Sequence, residues 1–271
     1  MYTPRNVSVS EGNLTYVDYG GRALAIVDWQ RRSSDIYSRD PELAYEASYL
    51  FLLSRIGEFL DGRRMHRIHA MALCYRGKGV LALLPMGGGK STLTADLLKY
   101  PELQFLSDDS PFISADGRLH AFPLRLGLLP GSEQEIPPEY RRVINRMEFG
   151  PKVLVDYRYL AHRVVAAADP GIVFLGYRSL GTACRIESAG AAECYRSMIT
   201  DCVVGLGLCQ GLEFLLRSST AELAGKVGIA ASRLAIARRL FRRSQVYRLI
   251  LGRDREHNSR EVMEFVRRRL G

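Results

Sequence analysis

The sequence lacks long apolar runs and close cysteine pairs, and both absences exclude classes of protein. No segment approaches the roughly 18–20 consecutive apolar residues that a membrane-spanning helix needs. Residues 1–6 carry no apolar core of a secretory signal, so we expect no signal peptide. The five cysteines include no C-x-x-C pair, and their odd number argues against a disulfide framework and a structural zinc site. We therefore expect a cytoplasmic protein with buried thiols.

Lysine is also scarce, so arginine supplies most of the positive charge. The chain has 38 lysines and arginines, of which only five are lysines, and its net charge is +9. Residues 233–271 contain twelve arginines against four acidic side chains, a balance of +8. This segment could bind nucleic acid, an acidic peptide or an anionic lipid surface, and we expect it to help recruit an acidic peptide, although solvated helix faces would give the same composition. Because no aromatic residues alternate with these arginines to stack on bases, we do not expect a nucleic-acid partner.

The most informative segment is residues 79–98, which predicts a buried strand, a glycine-rich turn, a Gly-Lys-Ser sequence and a helix. This order is typical of a loop that binds nucleotide phosphates, because glycines let the chain curl until several backbone N–H groups point at one anion. The helix that follows presents its positive dipole end to the same anion. We expect Lys90 to reach the outer phosphates and Ser91 to bind Mg²⁺.

The loop departs from the strict pattern G-x-x-x-x-G-K-[ST] at its first position, where this chain has Leu84. Three consecutive glycines precede the lysine instead: Gly87, Gly88 and Gly89. We therefore expect the strand to run further and the tight curve to lie at these glycines, which would bind phosphate together with Lys90, Ser91 and Thr92. The alternative is a glycine-rich turn between a core strand and a core helix, with a solvated lysine.

The rest of the chain predicts alternating strands and helices. The Gly20-Gly21 pair predicts a β-hairpin over residues 13–28. Asp40-Pro41 predicts the start of a helix that ends near Gly62. The poorly periodic, Pro- and Gly-containing residues 123–150 predict a loop. Further strands are predicted at 67–75, 103–109, 152–156, 172–177 and 246–251, a second hairpin at 112–122, and helices at 189–217, 220–242 and after a cap at Asn258.

We therefore predict an α/β fold with a P-loop core, in which a mixed sheet is flanked by helices. Residues 1–62 are expected to form an N-terminal β-hairpin and helix that pack on the core. Residues 63–271 are expected to form a P-loop domain with a helical C-terminal portion.

Two adjacent carboxylates, Asp108 and Asp109, follow the strand predicted after the Gly-Lys-Ser helix. Ligands of open α/β sheets bind at the carboxyl ends of strands, so we expect this pair to face the phosphates. One carboxylate can hold Mg²⁺, and the other can accept the proton of an attacking hydroxyl. The alternative is a turn or helix cap, where aspartate is also common.

Three segments together resemble the catalytic half of the HPr kinase/phosphorylase family: Ile68-His69-Ala70, Leu84-Pro85 through Lys90-Ser91-Thr92-Leu93, and Leu106-Ser107-Asp108-Asp109. The sequence is more closely similar to HPr-kinase-related ATP-binding proteins of bacterial clusters for modified peptides, including lasso-peptide kinases. The resemblance covers about residues 67–125 and is weaker at 171–178 and 246–252. Phosphoenolpyruvate carboxykinases share this type of nucleotide core.

The resemblance implies a kinase that uses ATP and Mg²⁺, and it implies a role for each site residue. Lys90 would bind the β- and γ-phosphates, Ser91 would bind Mg²⁺, and Asp108 would be the catalytic base. His69 would lie beside the reacting phosphoryl group. Asp109 would support the metal or His69, and the sequence leaves open which of the two aspartates is the base.

Two arginines, Arg125 and Arg178, are candidate phosphate or substrate clamps, with surface salt bridges as the alternative. The chain departs from the true HPr enzymes at Leu84 and lacks their glycine-rich signature with a metal-binding glutamate. Whether HPr is the acceptor, and whether reverse phosphorolysis occurs, therefore stays open.

The sequence thus predicts transfer of the γ-phosphoryl group of ATP to a hydroxyl, and we expect this hydroxyl to be a serine or threonine of a small protein or precursor peptide. One alternative is an ATP-binding scaffold with reduced catalysis, and another is a kinase of small metabolites. The acceptor, the preference for ATP over GTP and the oligomeric state, including a homo-oligomer, are left open.

Overall fold

The computed structural model describes residues 7–133, 135–146, 150–205 and 220–271. The first half of this chain contains two helices and ten strands: β1 (Val7–Glu11), β2 (Leu14–Asp18), β3 (Ala23–Asp28), β4 (Ser33–Ser38), α1 (Pro41–Asp61), β5 (His66–Arg67), β6 (Met71–Tyr75), β7 (Lys78–Leu83), α2 (Lys90–Leu97), β8 (Leu103–Ser107), β9 (Phe112–Ile113) and β10 (Leu119–His120).

The second half contains six more strands and four more helices: β11 (Arg125–Leu128), β12 (Arg141–Arg146), β13 (Gly150–Asp156), α3 (Tyr157–Leu160), β14 (Ala167–Arg178), β15 (Arg185–Ser188), α4 (Ala191–Ser197), α5 (Thr220–Arg243), β16 (Gln245–Leu251) and α6 (Arg255–Leu270). Short 3₁₀ turns lie at Pro138–Tyr140 and Ala161–Arg163, and a π-helical segment, Met198–Val204, continues α4.

One large mixed sheet organises the molecule. Strand β7 pairs with β14 in parallel and with β6 antiparallel, and β6 pairs antiparallel with β8. Strand β14 also pairs in parallel with β16, while its first residues pair antiparallel with β10. Strands β7, β8, β14 and β16 therefore end at the same edge, and the segments that follow them lie close together.

Alternate residues of the central strands pack into two hydrophobic clusters on opposite faces of this sheet. Leu73 and Val80 belong to a cluster that includes apolar residues of α2 and α6. Their neighbours Ala72 and Leu81 belong to a second cluster with α5. Because successive strand residues point to opposite faces, strands that are apolar at every position are buried on both sides. The expected mixed sheet flanked by helices is thus present.

The N-terminal part contains more strands than the sequence indicated. The predicted hairpin corresponds to β2 and β3, with positive φ at Gly20 and Gly21, but β1 and β4 extend it to a four-stranded antiparallel sheet. Helix α1 starts where expected, because the Asp40 carboxylate accepts hydrogen bonds from the N–H groups of Glu42 and Leu43. It contacts β4, β5 and β12. The division of the chain at residue 62 stays a prediction.

The prediction of a loop at residues 123–150 was wrong. Strands β11 and β12 pair antiparallel with β13 and form a separate three-stranded sheet. Leu126 and Leu128 of β11 and Val153 and Val155 of β13 pack into the cluster that contains α2. β11 and β12 are short, and among the described residues both pair only with residues 150–156. The sequence around each of them therefore shows little of the alternation that predicts a strand.

Three element boundaries also differ from the prediction. The strand predicted at 67–75 is interrupted at residues 68–70, because β5 pairs with β9 whereas β6 pairs with β7 and β8. The strand predicted at 103–109 ends at residue 107. Asp254 rather than Asn258 caps α6, and the Asn258 side chain bonds both the N–H and the C=O of Gly252.

Part of the predicted helix at 189–217 lies outside the described residues, as do residues 1–6, on which the expectation about a signal peptide was based. Among the helices that the structure describes, none combines the length and apolar character needed to cross a membrane.

Candidate functional site

A cavity of about 350 Å³ lies at the edge of the sheet where β7 and β8 end. The glycine-rich loop and α2 form its floor, and the segments before β6 and after β8 form one side. Helix α1 and the three-stranded sheet form the remaining walls. The predicted site residues that line it are His69, Gly87, Gly89, Lys90, Ser91, Thr92, Asp108, Asp109 and Arg125.

The glycine-rich loop turns at the glycines rather than at position 84. Leu84 is 2% exposed and belongs to the core cluster, and its side chain occupies the space that a Cβ atom on Gly176 would take. Gly87 and Gly89 adopt φ angles of +72° and +94°, which residues with side chains rarely tolerate. A Cβ atom on Gly88 would lie 2.8 Å from the Pro85 carbonyl oxygen. The loop therefore requires its three glycines and a buried residue before them.

Lys90 is the first residue of α2 and is 7% exposed. Its Nζ donates a 2.8 Å hydrogen bond to the Leu84 carbonyl and lies 3.7 Å from Asp109 Oδ1. Burial lowers the pKa of Lys90, and the charges of Asp109 and Asp108 oppose that effect. The ammonium group is thus held over the loop, facing the carboxylate pair.

Asp108 is 5% exposed and contacts the start of α2. Ser91 Oγ donates a 2.7 Å hydrogen bond to Asp108 Oδ2, whereas the buried Oδ1 has no hydrogen-bond partner among the described residues. Burial raises the pKa of Asp108, and the neighbouring charge of Asp109 raises it further. A buried carboxylate oxygen without a donor is costly, and a bound cation would relieve that cost.

The donor set suits Mg²⁺ bound together with phosphates. Mg²⁺ usually takes only one or two carboxylates from the protein when substrate phosphates and waters complete its shell. The hydroxyl of Ser91 and the unpaired oxygen of Asp108 are donors of this type. Within the described residues, no group of three or more His, Cys, Asp or Glu side chains could form a closed metal site.

Asp109 faces the cavity and contacts the buried His69. His69 Nε2 lies 3.2 Å from Asp109 Oδ1, and the two side chains are 3% and 56% exposed. Burial acts to raise the pKa of Asp109, but the hydrogen bond and charge of His69 and the charge of Lys90 outweigh it and lower the pKa to about 2. Asp109 is therefore ionised and accessible at neutral pH.

The break between β5 and β6 is what brings His69 to the cavity. The N–H of Ile68 bonds the carbonyl of Pro111, and the N–H of Ala70 bonds the carbonyl of Ile68. The other histidine of this segment, His66, lies elsewhere and contacts Asp61 and Ser232 at 2.7 and 2.9 Å.

The two predicted arginine clamps occupy different places. Arg178 ends β14 and lies beside the loop, where a Cβ atom on Gly89 would be 3.0 Å from its Nη1. Arg125 lies against α1, with its guanidinium 3.6 Å from the centre of the Tyr49 ring. Within the residues that the structure describes, its buried Nη1 has no hydrogen-bond partner. Burial raises the pKa of Tyr49 to about 12, so its hydroxyl stays protonated.

Several arginines of the C-terminal segment have acidic partners within the chain. Arg233 pairs with Asp61, and three others pair with Glu193, Asp96 and Glu102: Arg248, Arg255 and Arg267. Part of the positive charge of this segment is therefore neutralised by ion pairs within the chain. Recruitment of an acidic peptide by this segment stays a prediction.

The sequence did not point to Lys152 or Tyr49, although both line the cavity. Lys152 lies at the start of a segment that was predicted to be a strand. In a strand, Lys152 and Val153 point to opposite faces, but the sequence does not indicate which of the two faces lines the cavity. Tyr49 lies on α1, and its helical spacing did not distinguish it from a residue on the outside of the helix. Only the tertiary arrangement selects them.

The sequence matches no protein-family model, and no curated protein matches it significantly.

Proposed function

We propose that the protein is an ATP-dependent phosphotransferase with a P-loop core of the type found in HPr kinases and phosphoenolpyruvate carboxykinases. It transfers the γ-phosphoryl group to a hydroxyl, best matched by a serine or threonine of a small protein or precursor peptide. The observation that carries the proposal is that Lys90, Ser91, His69 and both aspartates meet in one cavity next to a glycine-rich loop.

Nucleotide binding follows from the floor of the cavity. The backbone N–H groups of Gly87 and Gly89 and the N-terminus of α2 would offer donors and a positive dipole to the phosphates, whereas the N–H of Gly88 donates to the Pro85 carbonyl. Lys90 would leave the Leu84 carbonyl to bind the β- and γ-phosphates, and Arg178 is placed beside the loop to contact the same anion.

Ser91 and Asp108 would hold Mg²⁺, which supplies charge neutralisation at the β- and γ-phosphates when bound. The contacts favour Asp109, rather than Asp108, as the residue that accepts the proton of the acceptor hydroxyl. Asp109 is exposed to the cavity and oriented by His69, whereas Asp108 is buried against Ser91. Its low pKa makes Asp109 a weak base, so its main contribution is to orient the hydroxyl.

The test is to incubate the purified protein with Mg-ATP and candidate acceptors, including peptides encoded beside its gene, and to search the products by mass spectrometry. We expect phosphorylated serine or threonine with the wild-type chain and none with Lys90→Ala. Labelled small hydroxylated molecules would indicate a metabolite kinase, and ATP binding without any product would indicate a scaffold.

The division of roles between the aspartates has its own test. Asp109→Asn is expected to keep Mg-ATP affinity and to lower transfer by about 10²-fold, the loss that misplacing a reacting group can cause. Asp108→Asn is expected to weaken Mg²⁺-dependent binding. The reverse pattern would assign the base to Asp108.

A further inference from the structure

The three-stranded sheet presents alternate residues to the cavity. Gly127 lies opposite Leu154 in the pairing of β11 with β13, and Ile144 lies opposite Lys152 in the pairing of β12 with β13. All four residues line the cavity, whereas Val153 and Val155 point to the core cluster on the other side. The amine of Lys152 is thus carried by the wall that faces the glycine-rich loop.

Gly127 is the residue that leaves room for this lysine. A Cβ atom built on Gly127 would overlap the Cε and Nζ atoms of Lys152, and these are the nearest atoms it would meet. Gly127 does not have a positive φ angle, so its backbone conformation does not require glycine. The reason for glycine at this position is therefore the course of the Lys152 side chain across it.

The end of the Lys152 side chain lies close enough to the reacting groups to act on their ionisation. Burial is the largest influence on the pKa values of Lys90, Asp108 and Asp109, and the charge of Lys152 acts on all three. It acts to lower the pKa of both carboxyl groups and, by repulsion, that of Lys90, while burial and the charge of Asp109 raise the pKa of Asp108 overall. Lys90 and Lys152 thus both line the cavity that contains the two carboxylates, and a further anion in that cavity can contact both ammonium groups.

We infer that Lys152 is a second ammonium ligand of the phosphoryl group in transfer, opposite Lys90, and that Gly127 keeps its course open. The inference rests on the proposed function. In the reaction, the bond between the γ-phosphorus and its bridging oxygen to the β-phosphate breaks, and a bond from the γ-phosphorus to the acceptor oxygen forms. ADP leaves with the electron pair, and the acceptor proton passes to Asp109. Lys152 keeps its proton and balances the charge on the moving group.

The experiment compares the affinities of Mg-ATP and Mg-ADP, which differ only by the γ-phosphoryl group. It uses wild type, Lys152→Ala, Gly127→Ala and the double variant, with Gly228→Ala as a control because a Cβ atom there would meet no described atom within 4 Å. We expect Lys152→Ala to weaken Mg-ATP binding by about tenfold or more, the usual worth of a hydrogen bond to a charged group, and to leave Mg-ADP binding unchanged. Gly127→Ala should reproduce this selective loss by displacing the lysine.

The double variant decides whether Gly127 acts through Lys152. Once the lysine is removed, Gly127→Ala should add no further loss. An unchanged preference for Mg-ATP in Lys152→Ala would overturn the inference and leave the proposed function intact, whereas a wild-type chain that binds neither nucleotide would overturn the proposed function itself. Thermal unfolding checks that each variant is folded, and if Gly127→Ala is not, Lys152→Ala decides alone.

Discussion

Ser91 Oγ donates a hydrogen bond of 2.7 Å to Asp108 Oδ2, and this contact joins the first turn of α2 to the end of β8. It is the point at which the glycine-rich loop and the carboxylate pair meet. Because the second oxygen of Asp108 is buried and has no partner in the described part of the chain, the contact leaves one coordination direction open beside the hydroxyl. The Ser91–Asp108 contact therefore predicts how nucleotide binding should depend on Mg²⁺.

Ser91→Ala should abolish most of the gain in ATP affinity that Mg²⁺ provides. The variant loses one of the two proposed protein ligands of the cation and removes the hydrogen bond to Asp108 Oδ2. We expect a loss of about tenfold or more in affinity with Mg²⁺, since a hydrogen bond or ligand to a charged group is worth about 1.5–3 kcal/mol. Titration with ATP in the presence of Mg²⁺ or of a chelator measures it. Ser91→Thr, which keeps the hydroxyl, serves as the control, and equal losses in both variants would contradict the assignment.

The two neighbouring aspartates should affect stability with opposite signs. Burial raises the pKa of Asp108, so the folded state binds its proton more tightly than the unfolded state, and the cost of ionising it is complete above the raised pKa. Asp108→Asn should therefore raise the thermal midpoint by a few degrees at pH 7. The gain should vanish as the pH falls toward 3.8, the ordinary value.

Asp109 has a pKa of about 2, below its ordinary value of 3.8, despite a burial effect in the opposite direction. Its ionised form therefore stabilises the folded state above pH 3.8, and this contribution disappears as the pH falls toward 2. Asp109→Asn should lower the thermal midpoint at pH 7, and only slightly because its side chain is 56% exposed. Thermal unfolding of both variants at pH 7 and pH 4 makes the comparison, and shifts of the same sign at pH 7 would show that the pKa assignment is wrong.

Restoring the strict glycine pattern should damage the protein. Leu84 is fully packed against Gly176 and the core, so Leu84→Gly removes a buried side chain and leaves a cavity. We expect a loss of at least about 3 kcal/mol in the free energy of unfolding, by analogy with large-to-small core substitutions, and no gain in ATP affinity. Urea unfolding and ATP titration test the two parts. Leu84→Met, which keeps the volume, is the matched control, and tighter ATP binding by Leu84→Gly would show that position 84 belongs to the phosphate-binding loop.

A buried ionic cluster outside the cavity should govern stability without governing nucleotide binding. Asp61 accepts from His66 and Arg233, and all three residues are at most 8% exposed. Burial acts to raise the pKa of Asp61, but the hydrogen bonds from His66 and Arg233 outweigh it and lower the pKa. Arg233→Ala leaves a buried charge without its main partner, which usually costs about 3–5 kcal/mol.

Urea unfolding measures that cost, and the ATP affinity of the folded variant should match the wild type. Arg238→Ala on the exposed side of the same helix is the control, since its side chain is not part of the cluster. A large change in ATP affinity in folded Arg233→Ala would mean that the cluster also shapes the site.

The local sequence was sufficient for those parts of the fold that depend on near neighbours. The Asp40 cap, the Gly20-Gly21 turn and the strand before the glycine-rich loop are all determined within a few residues, and the structure has them as expected. The order of strand, loop and carboxylate pair was also sufficient to bring Lys90, Ser91 and Asp108 together, because parallel strands end at one edge.

Long-range pairing determined what the sequence missed. The strands between residues 125 and 146 have partners only because β13 returns between them, and the sequence around each strand does not encode that return. The same pairing turns Lys152 toward the cavity rather than the core. At Asn258, a local pattern suggested a helix cap, but Asp254 took that role and the asparagine bonds the backbone of Gly252 instead.

The three-stranded sheet has a mechanical consequence. Its core face, with Leu126 and Val155, packs against α2, which begins at the glycine-rich loop, while its opposite face carries Arg125 and Lys152 into the cleft. A substitution that repacks the core face of this sheet is expected to tilt Arg125 and Lys152 relative to the loop without changing any residue that lines the cavity. Screens for altered catalysis should therefore include the core-facing aliphatic residues of this sheet, where conservative exchanges are expected to change activity.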